Sequence, residues 1–268
     1  MGPIRVGCSG WGYDDWVGPF YPSGTPAGEF LERYARVFDL AEVDSSFYRT
    51  PTPFVTRRWA SSVPGGFTFT LKVPRAVTHD ATDASLPGAI DAFAQALEPL
   101  QAAGKLGAVV FQFPPSFKRA GGAERLDTIL TTFLPGIPKV VELRHGSWWV
   151  PDTRELLERH HAGLVWPVAP GVRPPFWVTG DLVYARFLGD RALTSFDRIQ
   201  RDYRDEMVTM WEHFQNEGLS AREIYALVNN HFMGFGPGTV QVLREVLGLP
   251  PLDLTRALTL PGQRQLST

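Results

Sequence analysis

The chain has 268 residues, of which 44% are hydrophobic and 20% charged, and its formal net charge is −2. This composition excludes a disordered or collagen-like protein, and a chain of this length can bury a large core without disulfides. The near-neutral charge gives no broad basic surface for nucleic acid, and the single cysteine, Cys8, excludes an intramolecular disulfide. The N-terminus lacks a signal-peptide pattern and no apolar run approaches the roughly 20 residues that cross a bilayer, so we expect a cytoplasmic protein.

Short apolar runs alternate with amphipathic stretches along the whole chain. The predicted strands are Ile4–Cys8, Leu40–Asp44, Phe67–Val73, Gly107–Phe111, Lys139–Leu143, Gly163–Val168, Leu182–Phe187 and Glu223–Val228. The predicted helices are Ala27–Val37, Thr56–Ser62, Pro87–Ala103, Ala123–Phe133, Thr153–His161, Tyr203–Glu217 and Gly238–Leu247. Such alternation predicts parallel strands joined by helical crossovers, and eight strands close an α/β barrel of the TIM type, (β/α)8. An open doubly wound sheet is the alternative.

No linker-like composition divides the chain, so we expect one TIM-barrel domain over residues 1–268. The segment Ala169–Gly180 contains Pro170, Pro174 and Pro175 and is too proline-rich for a helix, which predicts an irregular sixth crossover. After Pro250 the sequence is loop-like, and we expect an extended C-terminal tail over residues 250–268.

Polar side chains stand near the ends of six predicted strands. Glu42 and Asp44 share one face of the second strand, and that face should point into the barrel, because the helix layer would bury both carboxylates in apolar surroundings. By the same alternation, the polar groups expected at this end of the barrel also include Thr70, Lys72, Gln112, Glu142, Arg144, Arg186 and Asn229. Barrel enzymes build their sites at the C-terminal ends of the strands, so this pattern favours a ligand pocket there. A buried ion network that only satisfies itself is the alternative.

The residue types in this group suit acid–base chemistry on a small polar or anionic substrate, such as a sugar or sugar phosphate. Glu42, Glu142 and Lys72 are the candidate catalytic residues, and the sequence does not assign which glutamate keeps its proton. The candidate substrate-binding residues are Asp44, Tyr48, Gln112, Arg144, Arg186, Asn229, Trp11 and Tyr13. An isomerase- or hydrolase-like enzyme fits this hypothesis.

Two other functions stay open. Glu42, Asp44, Glu142 and His231 could hold a divalent metal ion for a phosphodiesterase or nuclease, with nucleic acid as the partner. The sequence has no local ligand signature such as two histidines one helical turn apart, which weakens the metal hypothesis. A non-catalytic module that binds a small molecule is the third possibility.

Several ordered segments resemble the DUF72 (YecE-like) family. The resemblance rests on Gly7–Tyr13, Phe20-Tyr21-Pro22, Glu42–Tyr48, Phe69–Arg75, Phe111–Phe117, Glu142–Trp148 and Asn229-Asn230-His231. It spans nearly the whole chain and implies a TIM-like barrel, whereas a relation to sugar isomerases is an analogy of fold.

The chain departs from the family pattern in two places. Members often carry an acidic residue after the sixth strand. This chain reads Trp166–Pro170 there, with the apolar residue Val168 and no acidic residue. The family's Arg-Leu-His-Gly block appears as Arg186–Gly189, so Leu188 replaces a histidine. If these positions supply chemistry elsewhere in the family, this protein has lost part of it or acts more narrowly.

Overall fold

Eight parallel strands form a closed barrel in the order β1 to β8. The computed structural model describes residues 1–80, 82, 84–169, 173–189 and 191–258. The strands are β1 Ile4–Ser9, β2 Leu40–Val43, β3 Thr68–Lys72, β4 Leu106–Gln112, β5 Lys139–Glu142, β6 Ala162–Val168, β7 Leu182–Phe187 and β8 Glu223–Val228. The barrel closes because β1 pairs with β8 as well as with β2. The predicted (β/α)8 barrel is therefore confirmed, and the open sheet is wrong.

The helices surround this barrel. They are α1 Phe30–Tyr34, α2 Pro53–Ser61, α3 Arg75–Thr78, α4 Leu86–Ala102, α5 Arg119–Thr132, α6 Pro151–Arg159, α7 Arg204–Asn216, α8 Asn230–Met233 and α9 Gly236–Val246. The short helices α3 and α8 follow β3 and β8 at the C-terminal end of the barrel, and neither is among the predicted helices. Near its start α5 is broken, since Gly121 has a φ of 77° there, a left-handed conformation that glycine adopts without strain. No helix of the described residues is long and apolar enough to cross a membrane.

The sixth crossover and the end of the chain are the irregular parts. Between β6 and β7 the described residues form no helix or strand, as the prolines predict, and Pro170 lies outside the described residues. Thr179 ties this crossover to β6, because its Oγ1 donates to the Ala162 carbonyl at 2.6 Å. After Pro250 the chain forms a 3-10 helix at Leu254–Leu258, where the Ala257 carbonyl accepts a hydrogen bond of 3.1 Å from Arg33. The predicted tail beyond it, residues 259–268, lies outside the described residues.

The barrel has an apolar interior and, nearer the C-terminal ends of the strands, a charged layer. The charged layer consists of Glu42, Asp44, Lys72, Gln112, Glu142, Arg144 and Arg186. One buried cluster fills the interior and consists of Leu40, Val110, Val140, Val165, Tyr184, Tyr225 and Leu227. The alternate side chains, such as Phe111 on β4, point outward and pack on the helices, where Phe111 meets Phe133 with ring centroids 4.9 Å apart. Gly107 makes room for Tyr225, because a Cβ there would lie 2.9 Å from the tyrosine ring. Two residues beyond the interior valines, Gln112 pairs in register with Glu142, so both side chains enter the barrel at the same level.

Candidate functional site

Arg186 is the centre of the charged layer. Its side chain comes from β7, is 2% exposed, and lies between the two buried glutamates. Its Nη2 donates to Glu42 Oε1 at 2.5 Å and its Nη1 to Glu142 Oε2 at 2.6 Å, while Nη2 also lies 3.3 Å from Asp44 Oδ1. Carboxylates from β2, from β5 and from the loop after β2 thus surround one guanidinium, which offsets the cost of burying them.

Glu42 has a shell of hydroxyl donors besides Arg186. Ser9 Oγ donates to its Oε1 at 3.0 Å and Tyr184 OH donates to its Oε2 at 2.7 Å. Thr70 holds the same tyrosine hydroxyl at 2.7 Å. Burial raises the pKa of Glu42, and Asp44 adds to this, whereas Arg186 acts in the opposite direction. Glu42 therefore takes up a proton at a higher pH than an exposed glutamate does.

The surroundings of Glu142 shift its pKa in the opposite direction to that of Glu42. Gln112 Nε2 donates to both of its oxygens at 3.0 Å, and Arg144 Nε donates to Oε1 at 2.6 Å. Burial alone would raise the pKa of Glu142, but Arg186, Arg144 and the amide of Gln112 together lower that pKa to about 2. The two glutamates that the sequence could not tell apart are thus separated by their surroundings, with Glu142 held ionised.

The charged layer opens to the outside on one side. Lys72 Nζ donates to Gln112 Oε1 at 2.9 Å, lies 3.4 Å from Asp44 Oδ1, and stands 4.7 Å above the ring of Phe47. Side-chain exposure rises from 1% or less at Glu42 and Glu142 to 9% at Lys72, 28% at Asp44 and 32% at Arg144. A molecule that arrives at the C-terminal end of the barrel would therefore meet Asp44, Arg144 and Lys72 before the glutamates.

Aromatic side chains line another part of the same end. Tyr13 donates its hydroxyl to the Ser9 carbonyl at 2.7 Å, and its ring lies 4.9 Å from Trp16 and 6.2 Å from Phe196. Phe196, from the segment after β7, makes an edge contact of 4.9 Å with His231. Burial raises the pKa of the Tyr13 hydroxyl, and the nearby carboxylates of Asp44 and Glu42 raise it further, so Tyr13 stays a hydrogen-bond donor.

Three predicted binding residues lie outside the cluster. Trp11 packs on the outer face of the barrel, with its ring 5.6 Å from Trp59 and 5.8 Å from Phe69. Tyr48 is 80% exposed, and Phe47, not Tyr48, lies under Lys72. Asn229 caps α8, since its side-chain oxygen accepts the His231 N–H at 3.0 Å.

Ser9 and Tyr184 also belong to the cluster, and neither is among the predicted site residues. The alternation along β7 carried the signal for Tyr184, because a residue two positions before Arg186 shares its face. Ser9 is the last residue of β1 and lies one residue beyond the predicted strand, which ended at Cys8, so the alternation was not extended to it.

The predicted metal ligands do not form a site. Within the described residues no group of three or more histidine, cysteine, aspartate or glutamate side chains is placed to hold a metal ion. Glu42, Asp44 and Glu142 all contact Arg186, so a guanidinium takes the position that a cation would need. The candidate set of these three carboxylates with His231 is therefore not assembled as a group among the described residues.

The two departures from the family pattern are neighbours. The N–H of Leu188 donates to the carbonyl of Val168 at 3.0 Å, just beyond the paired ends of β7 and β6. Val168 is 8% exposed and also borders a cavity of about 460 Å³ between the sixth crossover and α7. Its lining includes Phe176, Met210 and Phe232 but none of the charged residues around Arg186. Val168 and Leu188 thus leave the charged layer intact.

Comparisons with known proteins agree with this architecture. UPF0759 protein YunF of Bacillus subtilis is 30% identical over 156 residues, which cover 57% of this chain and 54% of YunF. UPF0759 protein YecE of Escherichia coli is 28% identical over the same length, so the chain spans about half the length of the curated relatives it matches. A DUF72 family protein of Thermotoga maritima superposes with a TM-score of 0.78 at 26% identity, covering 92% of this chain and 99% of that one.

A more distant likeness concerns the fold alone. A crystal structure of D-psicose 3-epimerase in the presence of D-fructose has a TM-score of 0.55 at 14% identity, and the match covers 91% of this chain and 99% of the epimerase. The family described as "Protein of unknown function DUF72" matches residues 5–264. The chain therefore belongs to the DUF72 family.

Proposed function

We propose that this protein is an enzyme that binds a small polar or anionic substrate, such as a sugar or sugar phosphate, at the C-terminal face of the barrel and acts on it by acid–base chemistry. One observation carries this proposal: two buried glutamates share Arg186 but have pKa values moved in opposite directions, beneath side chains that solvent reaches. Pairs of titratable groups with separated pKa values are typical of acid–base sites.

The environments of the charged groups support different roles. Glu142 is a poor base, because its pKa of about 2 lies far from neutral pH, and we assign it the role of fixing Arg186, Arg144 and Gln112. Glu42, with its raised pKa, is the better proton carrier of the two glutamates. Lys72 lies at the open side beside Asp44, so we assign the transfer of protons to and from the substrate to Lys72 and Glu42 together, with Lys72 as the group that the substrate meets first.

The remaining residues would bind and orient the substrate. Gln112 accepts a hydrogen bond from Lys72 and donates one to Glu142, which fixes the position of the lysine ammonium group along the barrel axis. Tyr13 and Phe196 offer an aromatic surface on which a sugar ring could pack. The metal-dependent nuclease is not supported, since its ligand set is not assembled among the described residues. A module that binds without turnover stays the alternative, and the experiment separates it from an enzyme.

The test is proton exchange on a panel of aldoses, ketoses and their phosphates. Each compound is incubated with the protein in D₂O, and NMR follows the loss of carbon-bound protons and the appearance of isomers or hydrolysis products. We expect Lys72→Met and Glu42→Gln each to slow the reaction by about 100-fold or more, the usual contribution of a positioned acid or base. Glu155→Gln, on the exposed face of α6, is the matched control and should react like the wild type.

The outcomes separate the candidates clearly. Turnover that survives in both site variants would contradict the proposal. Saturable binding of a panel member without exchange or product would identify the non-catalytic module instead.

A further inference from the structure

Arg144 has hydrogen-bonding capacity that the charged layer does not use. Its Nε donates to Glu142 at 2.6 Å, and neither of its Nη nitrogens has a partner among the described residues. Arg186 differs, because both of its Nη nitrogens bind carboxylates. Arg144 is 32% exposed, so it presents the fork of its guanidinium to the outside. Such a fork matches two oxygens of a phosphate or sulfate group.

Two more cationic or ionisable groups face the same space. Lys72 and Arg144 are both attached to the Gln112–Glu142 pair, through Gln112 Oε1 and Glu142 Oε1 respectively. His79 follows α3, and its Nδ1 lies 2.8 Å from Thr78 Oγ1, while its ring meets the edge of Phe47 with centroids 5.0 Å apart. The face of that Phe47 ring carries Lys72 Nζ at 4.7 Å, so the lysine and the histidine both contact the same aromatic ring.

The electrostatics around His79 are those of a positive site. Burial lowers the pKa of His79, and the positive charges of Arg75, Lys72 and Arg144 lower it further. Asp80 opposes them, and its carboxylate is held by Arg75 Nε at 2.9 and 3.1 Å. Nε2 of His79 has no partner within the part of the chain that the structure describes.

We propose that Arg144, Lys72 and His79 form a subsite for a dianionic oxyanion, the phosphate of a phosphorylated substrate. This inference rests on the proposed function, whose substrate class it narrows to phosphate esters. The charges inside the barrel already balance, with Glu42, Asp44 and Glu142 against Arg186, Lys72 and Arg144. A bound dianion would therefore leave an excess of negative charge, and protonation of His79 would reduce it.

The coupling between the anion and the proton gives a specific signature. Sulfate is the probe, because it keeps its double negative charge over the whole pH range in which histidine titrates, about pH 5 to 8. Binding to the full chain is measured by calorimetry at constant ionic strength in two buffers of different ionisation enthalpy. We expect saturable binding of one sulfate, uptake of protons on binding, and weaker binding as the pH rises.

Single substitutions test the arginine and the histidine of the subsite. Arg144→Gln should weaken sulfate binding by about tenfold, as expected for the loss of charge-assisted hydrogen bonds, and Arg144→Lys should restore part of it. His79→Gln should still bind sulfate but without proton uptake. Arg154→Gln, which removes an exposed arginine paired with Glu158 on α6, should bind like the wild type.

The failure of this inference can be told apart from the failure of the proposed function, since sulfate binding needs no turnover. Sulfate affinity unchanged in Arg144→Gln, or proton uptake that persists in His79→Gln, would overturn the subsite. Turnover of neutral sugars without sulfate binding would refute the subsite and leave the enzyme. Sulfate binding with no turnover of any compound would keep the subsite and refute the enzyme.

Discussion

The apolar level of the barrel interior and the charged layer above it differ in chemistry, although the same strands contribute residues to both. At the lower level the inward residues are apolar, with Leu40, Val110 and Val140 fully buried. Two residues further along the same strands stand Glu42, Gln112 and Glu142. Because inward positions recur every second residue, one step along these three strands changes the interior from close-packed hydrocarbon to a charged network. The lower level therefore acts as a rigid support on which the charged groups are held in fixed positions.

The largest expected effect comes from removing the centre of the charged level. Arg186→Met leaves Glu42 and Glu142 buried without their shared cation, and we expect the free energy of unfolding to fall by about 3–5 kcal/mol. Urea denaturation at neutral pH measures this loss. The destabilisation should shrink as the pH falls, since protonation of the glutamates removes their charge. The matched variant Arg154→Met, on the exposed face of α6, should change stability little, and a similar loss in both variants would contradict the central position of Arg186.

A substitution at the apolar level should separate stability from function. Leu40→Ala removes a fully buried side chain, and we expect a loss of about 3 kcal/mol from lost burial and the cavity that remains. The variant should nevertheless bind sulfate like the wild type at a temperature where it is folded, because the charged level above is unchanged. Loss of sulfate binding in folded Leu40→Ala would show that the two levels are not independent.

The smallest effect is a difference in pH dependence between the two glutamates. A glutamate with a lowered pKa contributes stability that is lost as the pH falls from the unfolded value of about 4.3 through the folded one. The stability that Glu142 contributes, with its pKa of about 2, should therefore be lost in that acidic window, and Glu142→Gln should flatten this dependence.

Glu42 should act with the opposite sign. Its raised pKa makes the folded state bind a proton more tightly, so its contribution to stability is present at low pH and is lost as the pH rises through the folded pKa. Glu42→Gln should remove this loss. Denaturation midpoints across acidic and neutral pH compare the two variants, and slopes of the same sign would contradict the assigned environments.

The sequence predicted the strands and the inward charges because both follow from local patterns. Apolar runs with period-two polar positions located Glu42, Lys72, Gln112 and Glu142 on the correct face. Arg186 was also placed inside, but its position between β2 and β5 depends on barrel closure, which no local pattern encodes.

Loop residues were harder to place for a physical reason. Strand periodicity ends where the loop begins, so the sequence did not indicate that Trp11 turns to the outer face of β3. It also did not indicate that Asn229 is used as a helix cap, or that Phe196 comes back to Tyr13. Those positions depend on how each loop folds over the barrel end, which tertiary packing decides.

The central claim is that the charged layer of the barrel is a catalytic site. The exchange experiment in D₂O tests this claim most directly. The account predicts that at least one sugar or sugar phosphate loses a carbon-bound proton or forms product with the wild type and with Glu155→Gln. The same reaction should be about 100-fold slower with Lys72→Met. Equal rates in Lys72→Met and Glu155→Gln would contradict the account.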